Sequence, residues 1–373
     1  MKRPKVPTPD MESILPILIE KWRRIHKESG PKDCLQTREF RRVVAHILEN
    51  QKNGSFFLNK DTFGAYLLYT WVLHYQEGLS LIGEIPQPPK RVLDISAGSA
   101  PFSLAALKHG AKEVIATDTH LQALETGAEF CGRLGFPLTI RQWDPLTSTP
   151  PPFTGTFDLI IVGHQLFNLL KSTDPLSLIH KLMGYLSVDG HLLLVESSLP
   201  EANKRFLTLR DLFAKANIPI QAPCIFQGAC PALKSQSVCF AQREFEKPPF
   251  IKELQRAAKI NLSSLKMSYL LLKHKDAALP SLPEKRLYRV ISPPVEGYAG
   301  KRYYLCGQDG KKLLGSHFPI PPKEAKAFEF LRRGELISVE NSLETKIGLD
   351  IINGTRITIE AALGKPVTHE RKA

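Results

Sequence analysis

The spacing of hydrophobic positions changes twice along the chain. In the first 88 residues these positions recur every three or four residues, as at Ile14, Leu18 and Trp22, and this spacing predicts amphipathic helices. A proline-rich stretch at residues 85–89 then ends the helical pattern. We therefore predict an N-terminal helical region over residues 1–88.

From residue 89 the hydrophobic residues form short continuous runs, separated by segments with helical spacing. This alternation is typical of an α/β domain whose parallel strands are buried on both faces of the sheet. The predicted strands are residues 91–95, 113–117, 138–141, 159–162 and 191–195, with 237–242 and 268–272 as two further candidates. We predict a doubly wound sheet over residues 89–281.

After residue 281 the apolar runs are short and bounded by glycine and proline, which is typical of small β structures. The predicted strands are residues 287–291, 302–305, 336–339 and 356–359. Basic residues concentrate nearby, because residues 246–335 contain 18 Lys or Arg and nine Asp or Glu. We predict a basic, β-rich domain over residues 282–373.

Composition and charge narrow the choice of partners. The 373-residue chain has 50 Lys or Arg and 37 Asp or Glu, a net charge of +13 that favours a polyanionic partner. No apolar run is as long as a transmembrane helix and no secretory signal is evident, so we expect no membrane partner. The sequence predicts a cytoplasmic protein of bacterial type, with the mitochondrial matrix as the alternative.

Aspartates and small residues end the first strands of the predicted sheet. Asp94 ends the first strand and Gly98 lies in the following turn, where small residues let backbone N–H groups approach a ligand. Asp118 ends the second strand, where a carboxylate can bind both ribose hydroxyls, and Asp144 follows the third. This order of motifs resembles class I S-adenosylmethionine-dependent methyltransferases, which implies that these four residues contact that cofactor. A doubly wound domain without a ligand is the alternative.

Two positions of the first motif differ from the usual methyltransferase pattern. Ser96 and Ala100 stand where that family has glycine, and either residue would be strained if its φ angle were positive. His164 follows the fourth strand and is either a base or a structural histidine. The sequence identifies no catalytic residue, because this segment lacks the motif of base amino-methyltransferases and no nucleophilic cysteine follows the fourth or fifth strand.

Three of the six cysteines lie within 16 residues: Cys224, Cys230 and Cys239. In an intracellular chain such clustering indicates a metal site rather than disulfides. The five and eight residues between them do not match the paired spacing of zinc ribbons, so an iron–sulfur cluster is favoured and zinc is the alternative. Cys306, which follows a predicted strand, is the candidate fourth ligand. The other two cysteines are expected to be buried as small hydrophobic side chains: Cys34 and Cys131.

A more specific resemblance runs from about residue 90 to residue 310. It rests on segments 222–242, 266–270, 288–294 and 305–310, the first and last of which contain the four clustered or candidate cysteines. These segments resemble the small-ribosomal-subunit assembly family, which has mitochondrial and bacterial members. The resemblance implies a [4Fe–4S] cluster on Cys224, Cys230, Cys239 and Cys306, a cysteine-rich insert at 222–240 within a methyltransferase-like domain, and binding to small-subunit ribosomal RNA.

Two functions are consistent with these patterns. The first is an iron–sulfur-containing factor that binds the small ribosomal subunit or its rRNA, assists its assembly, and is monomeric away from the ribosome. Four basic residues flank Cys306 and are the predicted phosphate contacts, with a solvated basic surface as the alternative: Lys301, Arg302, Lys311 and Lys312. The second is an active S-adenosylmethionine-dependent rRNA methyltransferase.

Overall fold

The computed structural model describes residues 10–53, 59–274, 276–277, 285–297 and 300–361. Within these ranges no helix has the length and apolar character needed to cross a membrane. The described chain forms helices at its N-terminal end, followed by two sheets. The four clustered cysteines lie where the two sheets meet.

The N-terminal part is helical, as its hydrophobic spacing predicts. Its elements are α1 (Met11–His26), α2 (Thr37–Asn53), α3 (Lys60–Ala65), a π-helical turn (Tyr66–Thr70) and α4 (Trp71–Ile82). Ile14, Leu18 and Trp22 are buried along one face of α1. These helices share one hydrophobic core with one face of the sheet that follows.

The first sheet contains both parallel and antiparallel strands. Its strands are β1 (Arg91–Ile95), β2 (Glu113–Asp118), β3 (Thr139–Gln142), β4 (Phe157–Gly163), β5 (Leu186–Ser197), β6 (Ile220–Ala222), β7 (Ala241–Arg243) and β8 (Leu265–Lys273). Their order is β3-β2-β1-β4-β5-β8-β6, and β7 also pairs with β8. β1 to β5 are parallel, whereas β8 is antiparallel to β5, β6 and β7. This is the class I methyltransferase arrangement, so the predicted fold class is confirmed.

Helices cover both faces of this sheet. They are α5 (Pro101–Lys108), α6 (Leu121–Arg133), α7 (Leu166–Leu169), α8 (Pro175–Met183), α9 (Pro200–Lys215), α10 (Pro231–Lys234) and α11 (Pro249–Ala257). Alternate residues of β4 face different cores, Leu159 and Ile161 in one, Ile160 and Val162 in the other. Burial on both faces explains why the strands have continuous apolar runs rather than alternating ones.

Close packing joins the N-terminal helices to the loop after β1. A Cβ atom at Gly78 of α4 would lie 2.9 Å from the Cβ atom of Ala105 in α5. Glycine therefore permits the two helices to approach each other closely at this point. The Trp71 Nε1–H group donates a hydrogen bond to the carbonyl oxygen of Ser99 at 2.9 Å. The start of α4 thus lies directly against the loop.

The second sheet forms a β-rich C-terminal part. Its strands are β9 (Leu287–Val290), β10 (Val295–Gly297), β11 (Gly300–Gly307), β12 (Gly310–Ser316), β13 (Leu336–Glu340), β14 (Leu343–Glu344), β15 (Gly348–Ile351) and β16 (Arg356–Ala361), with a 3₁₀ helix at Lys323–Phe330. The order is β14-β15-β12-β11-β9-β13-β16, and β10 pairs with β11. All four predicted strands are present, and β10, β12, β14 and β15 were not predicted. A β-rich C-terminal region is confirmed.

Two details of the sequence prediction are wrong for local reasons. The strand predicted at 237–242 is β7, which begins only at Ala241, because the Asn203 side chain bonds both backbone groups of Cys239. Cys34 is exposed in the segment before α2, so its predicted burial is wrong. Cys131 is buried in α6, as predicted.

Candidate functional site

The four cysteines of the predicted tetrad lie on elements of both sheets. Cys224 follows β6 and Cys230 directly precedes α10. Cys239 precedes β7, and Cys306 is on β11. Burial raises the pKa of the Cys239 thiol, and the other three thiols raise it further. Burial raises the pKa of Cys306 to about 12, with additional contributions from Cys224 and Cys230. The structure therefore brings the four thiols together.

Side chains of α9 fix the backbone at two of the cysteines. The Asp211 carboxylate accepts hydrogen bonds from the backbone N–H of Cys230 at 2.9 and 3.1 Å. The Asn203 amide accepts from the N–H of Cys239 at 3.1 Å and donates to its carbonyl oxygen at 2.7 Å. Asn203 is fully buried and also donates to the Ser268 hydroxyl. One helix thus positions two thiols that are nine residues apart in the chain.

Two kinds of metal group are bound by four thiolates. A tetrahedral zinc ion with Zn–S bonds of about 2.3 Å would hold its thiolates about 3.8 Å apart. A cubane iron–sulfur cluster binds each thiolate at a separate corner and therefore accommodates a wider set. The four cysteines supply the thiolates that either group needs.

Three arginines that the sequence prediction missed surround the thiols. Arg210 and Arg289 interact electrostatically with Cys224, and Arg333 interacts with Cys239. The buried Nε atoms of Arg210 and Arg333 have no hydrogen-bond partner among the described residues. Four thiolates give an iron–sulfur cluster a net negative charge, and buried N–H donors stabilise such a group. These arginines fit an anionic cluster held by the four thiols.

Two of these arginines also organise the chain around the thiols. The Arg210 guanidinium donates to the carbonyl oxygens of Phe226 and Gly228 in the loop between Cys224 and Cys230. The Arg289 side chain, on β9, donates from Nε to the carbonyl oxygen of Pro223 at 3.0 Å. Arg289 therefore links the second sheet to the residue before Cys224. The sequence gives no signal for these roles, because each arginine is distant from the cysteines along the chain.

The cofactor residues of the methyltransferase resemblance lie at the carboxyl ends of β1, β2 and β3. The Gly98 N–H group donates to Asp118 Oδ2 at 2.8 Å. Burial raises the pKa of Asp94 to about 7, and the hydroxyl of Ser103 donates to its Oδ2 at 2.6 Å. Asp144 lies in the turn after β3 and accepts a hydrogen bond from Leu146 N–H. The structure brings Asp94, Gly98 and Asp118 together and places Asp144 at the same edge of the sheet.

The loop after β1 has the backbone of a glycine-rich loop. Ser96, Gly98 and Ala100 have φ angles of 55°, 55° and 59°. Only Gly98 adopts this left-handed conformation without strain, and each of the other two costs roughly 1–2 kcal/mol. The strain expected for Ser96 and Ala100 is therefore present.

A tyrosine of the N-terminal helices lies beside the two buried aspartates. Tyr66, in the π-helical turn, is 4 % exposed. Burial raises the pKa of its hydroxyl, and the nearby Asp118 and Asp94 raise it further. The N-terminal region therefore contributes a side chain to the crevice, which sequence reasoning did not anticipate.

Two histidines stack at the end of β4. The rings of His74 and His164 are 3.9 Å apart and inclined by 9°. His164 Nε2 lies 2.7 Å from Glu77 Oε2. Burial lowers the pKa of both histidines, but for His164 the Glu77 carboxylate outweighs burial and the net shift is upward. Only His164 of this group was noticed in the sequence, because His74 and Glu77 lie in a helix far upstream.

The four predicted phosphate contacts lie on β11 and β12 and are half-buried. Each already has a partner. Lys301 Nζ donates to the Glu329 carbonyl oxygen at 2.7 Å, and the Lys311 ammonium lies 4.5 Å from the centre of the Tyr304 ring. Arg302 forms an ion pair with Asp350 at 3.4 Å, and Lys312 forms one with Asp309 at 3.6 Å. Lys311 also stands opposite Cys306 across the two strands. Lys311 is therefore the one of these four basic residues that the strand register places beside Cys306.

Solved structures of similar fold include several methyltransferases. The ribosomal protein L11 methylase of Lactobacillus delbrueckii subsp. bulgaricus is 18% identical, with a TM-score of 0.34, over 54% of this chain and 77% of that chain. The plantazolicin methyltransferase BpumL is 12% identical, with a TM-score of 0.36, over 71% and 97%. The YcgJ protein of Bacillus subtilis is 17% identical, with a TM-score of 0.34, over 54% and 99%.

The comparison with protein families gives a more specific result than the comparison with solved structures. None of the curated proteins compared with the chain matches it significantly. One family model, described as mitochondrial small ribosomal subunit Rsm22, matches residues 80–313. The matched range includes the whole first sheet, all four clustered cysteines and the start of the second sheet. Because the match covers more than half of the sequence, the chain belongs to the Rsm22 family of the mitochondrial small ribosomal subunit.

Proposed function

We propose that this protein binds the small ribosomal subunit or its rRNA and assists the assembly of that subunit. The observation that carries the proposal is the family match over residues 80–313. The basic character of residues 246–335, with 18 Lys or Arg against nine Asp or Glu, supports a polyanionic partner. The family description favours the mitochondrial matrix over a bacterial-type cytoplasm as the compartment.

The same proposal includes a [4Fe–4S] cluster held by Cys224, Cys230, Cys239 and Cys306, with zinc as the alternative. The buried guanidinium groups beside the thiols support the iron assignment. Four thiolate ligands leave no open coordination position for a substrate, so the bound cluster would have a structural or sensory role rather than a Lewis-acid catalytic one. The chain's own contribution is to position the thiolates, through α9, and to offset their charge.

Iron content tests this metal assignment. Wild-type protein purified without oxygen should contain iron and show the visible charge-transfer absorption of iron–sulfur proteins. The Cys230→Ser variant should lose both the iron and the absorption. The matched control is Cys34→Ser, since Cys34 is exposed and distant from the tetrad. A colourless wild-type protein that contains one zinc per chain would exclude the cluster.

RNA contact by the basic residues beside Cys306 is part of the proposal. Lys301, Arg302, Lys311 and Lys312 lie on two adjacent strands, and their present partners leave further N–H donors for phosphate oxygens. Lys311→Ala should weaken binding to small-subunit rRNA and reduce the slope of log K against log salt concentration by about 1. Lys32→Ala, an exposed lysine of the N-terminal region, is the control.

An active S-adenosylmethionine-dependent rRNA methyltransferase is the second candidate. The convergence of Asp94, Gly98 and Asp118 at the end of adjacent strands supports cofactor binding. Those residues would hold the nucleoside and methionine parts, and the cofactor would supply the methyl group. The strained backbone at Ser96 and Ala100 and the position of Tyr66 weigh against tight binding.

Complementation separates the two functions. Cells that lack the protein should regain small-subunit levels with Asp118→Ala if the protein acts in assembly alone. Cys230→Ser should fail to restore them, because it removes a proposed cluster ligand. If Asp118→Ala fails while its purified protein still binds the subunit, and the wild type methylates immature subunits, the enzymatic function is correct instead.

A further inference from the structure

Three side chains of metal-ligand type meet at the end of β4, away from the cysteine tetrad. His74 and Glu77 are three residues apart in α4 and therefore lie on the same face of that helix. His164 follows β4 and takes a left-handed backbone conformation, with a φ angle of 58°. One ligand atom from each residue lies within 4.8 Å of the other two.

We propose that His74, Glu77 and His164 bind one divalent transition-metal ion, and that Zn²⁺ is the ion they fit best. Two imidazole nitrogens and one carboxylate oxygen are the protein ligands of many zinc sites that keep a fourth position open. This set contains no thiolate and is separate from the tetrad. The inference is independent of the proposed ribosomal function.

The hydrogen bonding of the three side chains is consistent with a cation between them. His74 contacts the rings of His164, Tyr66 and Phe102, but its ring nitrogens make no hydrogen bond within the part of the chain that the structure describes. Glu77 is 5 % exposed, and among the described residues its carboxylate has His164 as its partner. An imidazole nitrogen binds a metal in the plane of its ring, so the two stacked rings would have to turn away from each other to bind one ion together with the carboxylate.

An ion bound at this site would connect the N-terminal helices to the first sheet. α4 belongs to the N-terminal helices, and β4 belongs to the central part of the first sheet. A bound ion would therefore fasten α4 to the sheet at the edge where Asp94 and Asp118 also lie. Phe102, at the start of α5, packs 6.2 Å from the His164 ring and closes one side of the group.

Zinc binding to the full-length protein tests the proposal. The protein is purified without oxygen, with its cysteine site loaded, then dialysed against Zn²⁺ and washed, and its metals are measured by mass spectrometry. We expect one zinc per chain in the wild type and none in Glu77→Gln or His164→Ala. His180→Ala, an exposed histidine on α8, is the matched control and should keep the zinc.

Cobalt substitution excludes binding at the cysteines. Co²⁺ at the proposed site should give visible d–d bands without a thiolate charge-transfer band, and Cys230→Ser should leave those bands unchanged. Glu77→Gln preserves side-chain shape, so it decides the result if His164→Ala does not fold. No zinc in the wild type, or zinc retained in Glu77→Gln, would show that the three residues form only an ion pair and a ring stack.

Discussion

The loop after β1 differs from a glycine-rich loop in that two of its residues have a strained backbone. Ser96 and Ala100 keep positive φ angles of 55° and 59° although both carry a Cβ atom. The fold evidently requires this loop shape, since Gly98 donates to Asp118 and Trp71 donates to Ser99 within it. Ser96 and Ala100 therefore hold the left-handed backbone of this loop although that conformation strains both residues.

Ser96→Gly should stabilise the protein. Glycine removes the left-handed strain, and the net gain in the free energy of unfolding should be roughly 1 kcal/mol. Chemical denaturation measures it. Ala97→Gly is the control, because Ala97 is buried and is not among the described residues with positive φ, so that change should destabilise the protein. Equal effects of the two substitutions would contradict the strain argument.

Asp94 should make stability fall as pH rises from about 4 to about 7. Burial raises its pKa to about 7 in the folded protein, above a usual value of about 3.9 in the unfolded chain. Between these values the folded state holds more protons than the unfolded state, so this residue's contribution becomes less favourable as pH increases.

The matched variant is Asp94→Asn, which cannot ionise and can still accept from Ser103. Its stability relative to wild type should increase by roughly 3–4 kcal/mol between pH 4 and pH 8. Urea unfolding at several pH values measures the difference. Parallel pH profiles for the two proteins would mean that Asp94 is not raised as described.

At the scale of elements, the close contact between α4 and α5 should be sensitive to one methyl group. Gly78→Ala places a Cβ atom 2.9 Å from that of Ala105, so we expect a loss of roughly 1–3 kcal/mol in the free energy of unfolding. Gly132→Ala in α6 is the matched control, because nothing lies within 4 Å of the position that a Cβ atom would take there. That change should stabilise the protein by roughly 0.5–1 kcal/mol. Thermal unfolding of both variants tests the pair.

The success of sequence reasoning differed between elements for physical reasons. β1, β2, β4 and β5 were found because strands buried on both faces have continuous apolar runs. β12 was missed because it begins with Gly310-Lys311-Lys312 and lies half-buried. β6 has three residues, too few for a periodic signal.

Site residues that are close together in the sequence were predicted, whereas those that only the fold brings together were not. Asp94, Gly98 and Asp118 were recognised because a strand and its following turn place them within short segments. His74 and Glu77 could not be assigned to His164 from sequence, since 87 residues separate the hydrogen-bonded pair. Arg210, Arg289 and Arg333 were missed for the same reason, because only tertiary packing brings them to the cysteines.

For the whole molecule, the cysteine tetrad lies at the junction between the two sheets. Arg289 of the second sheet bonds the carbonyl oxygen of Pro223, and Ile225 packs against Leu287 and Leu336. Three of the four cysteines lie between β6 and β7 of the first sheet, whereas Cys306 is on β11 of the second. A shared metal centre would therefore join two sheets that otherwise have separate hydrophobic cores.

Cys306→Ser should uncouple the two parts of the molecule. Metal ligation contributes folding energy. Without the fourth thiolate, the second sheet is held to the first by the contacts of Arg289 and Ile225 and by the pairs Arg332–Glu244 and Arg333–Phe240. Scanning calorimetry should resolve one transition in the iron-loaded wild type and two in the variant, the earlier one from the β-rich part. Chelation of iron from wild type should reproduce the two transitions, and Cys34→Ser should retain one. A single unshifted transition in Cys306→Ser would mean that packing alone couples the sheets and that the tetrad contributes nothing to their association.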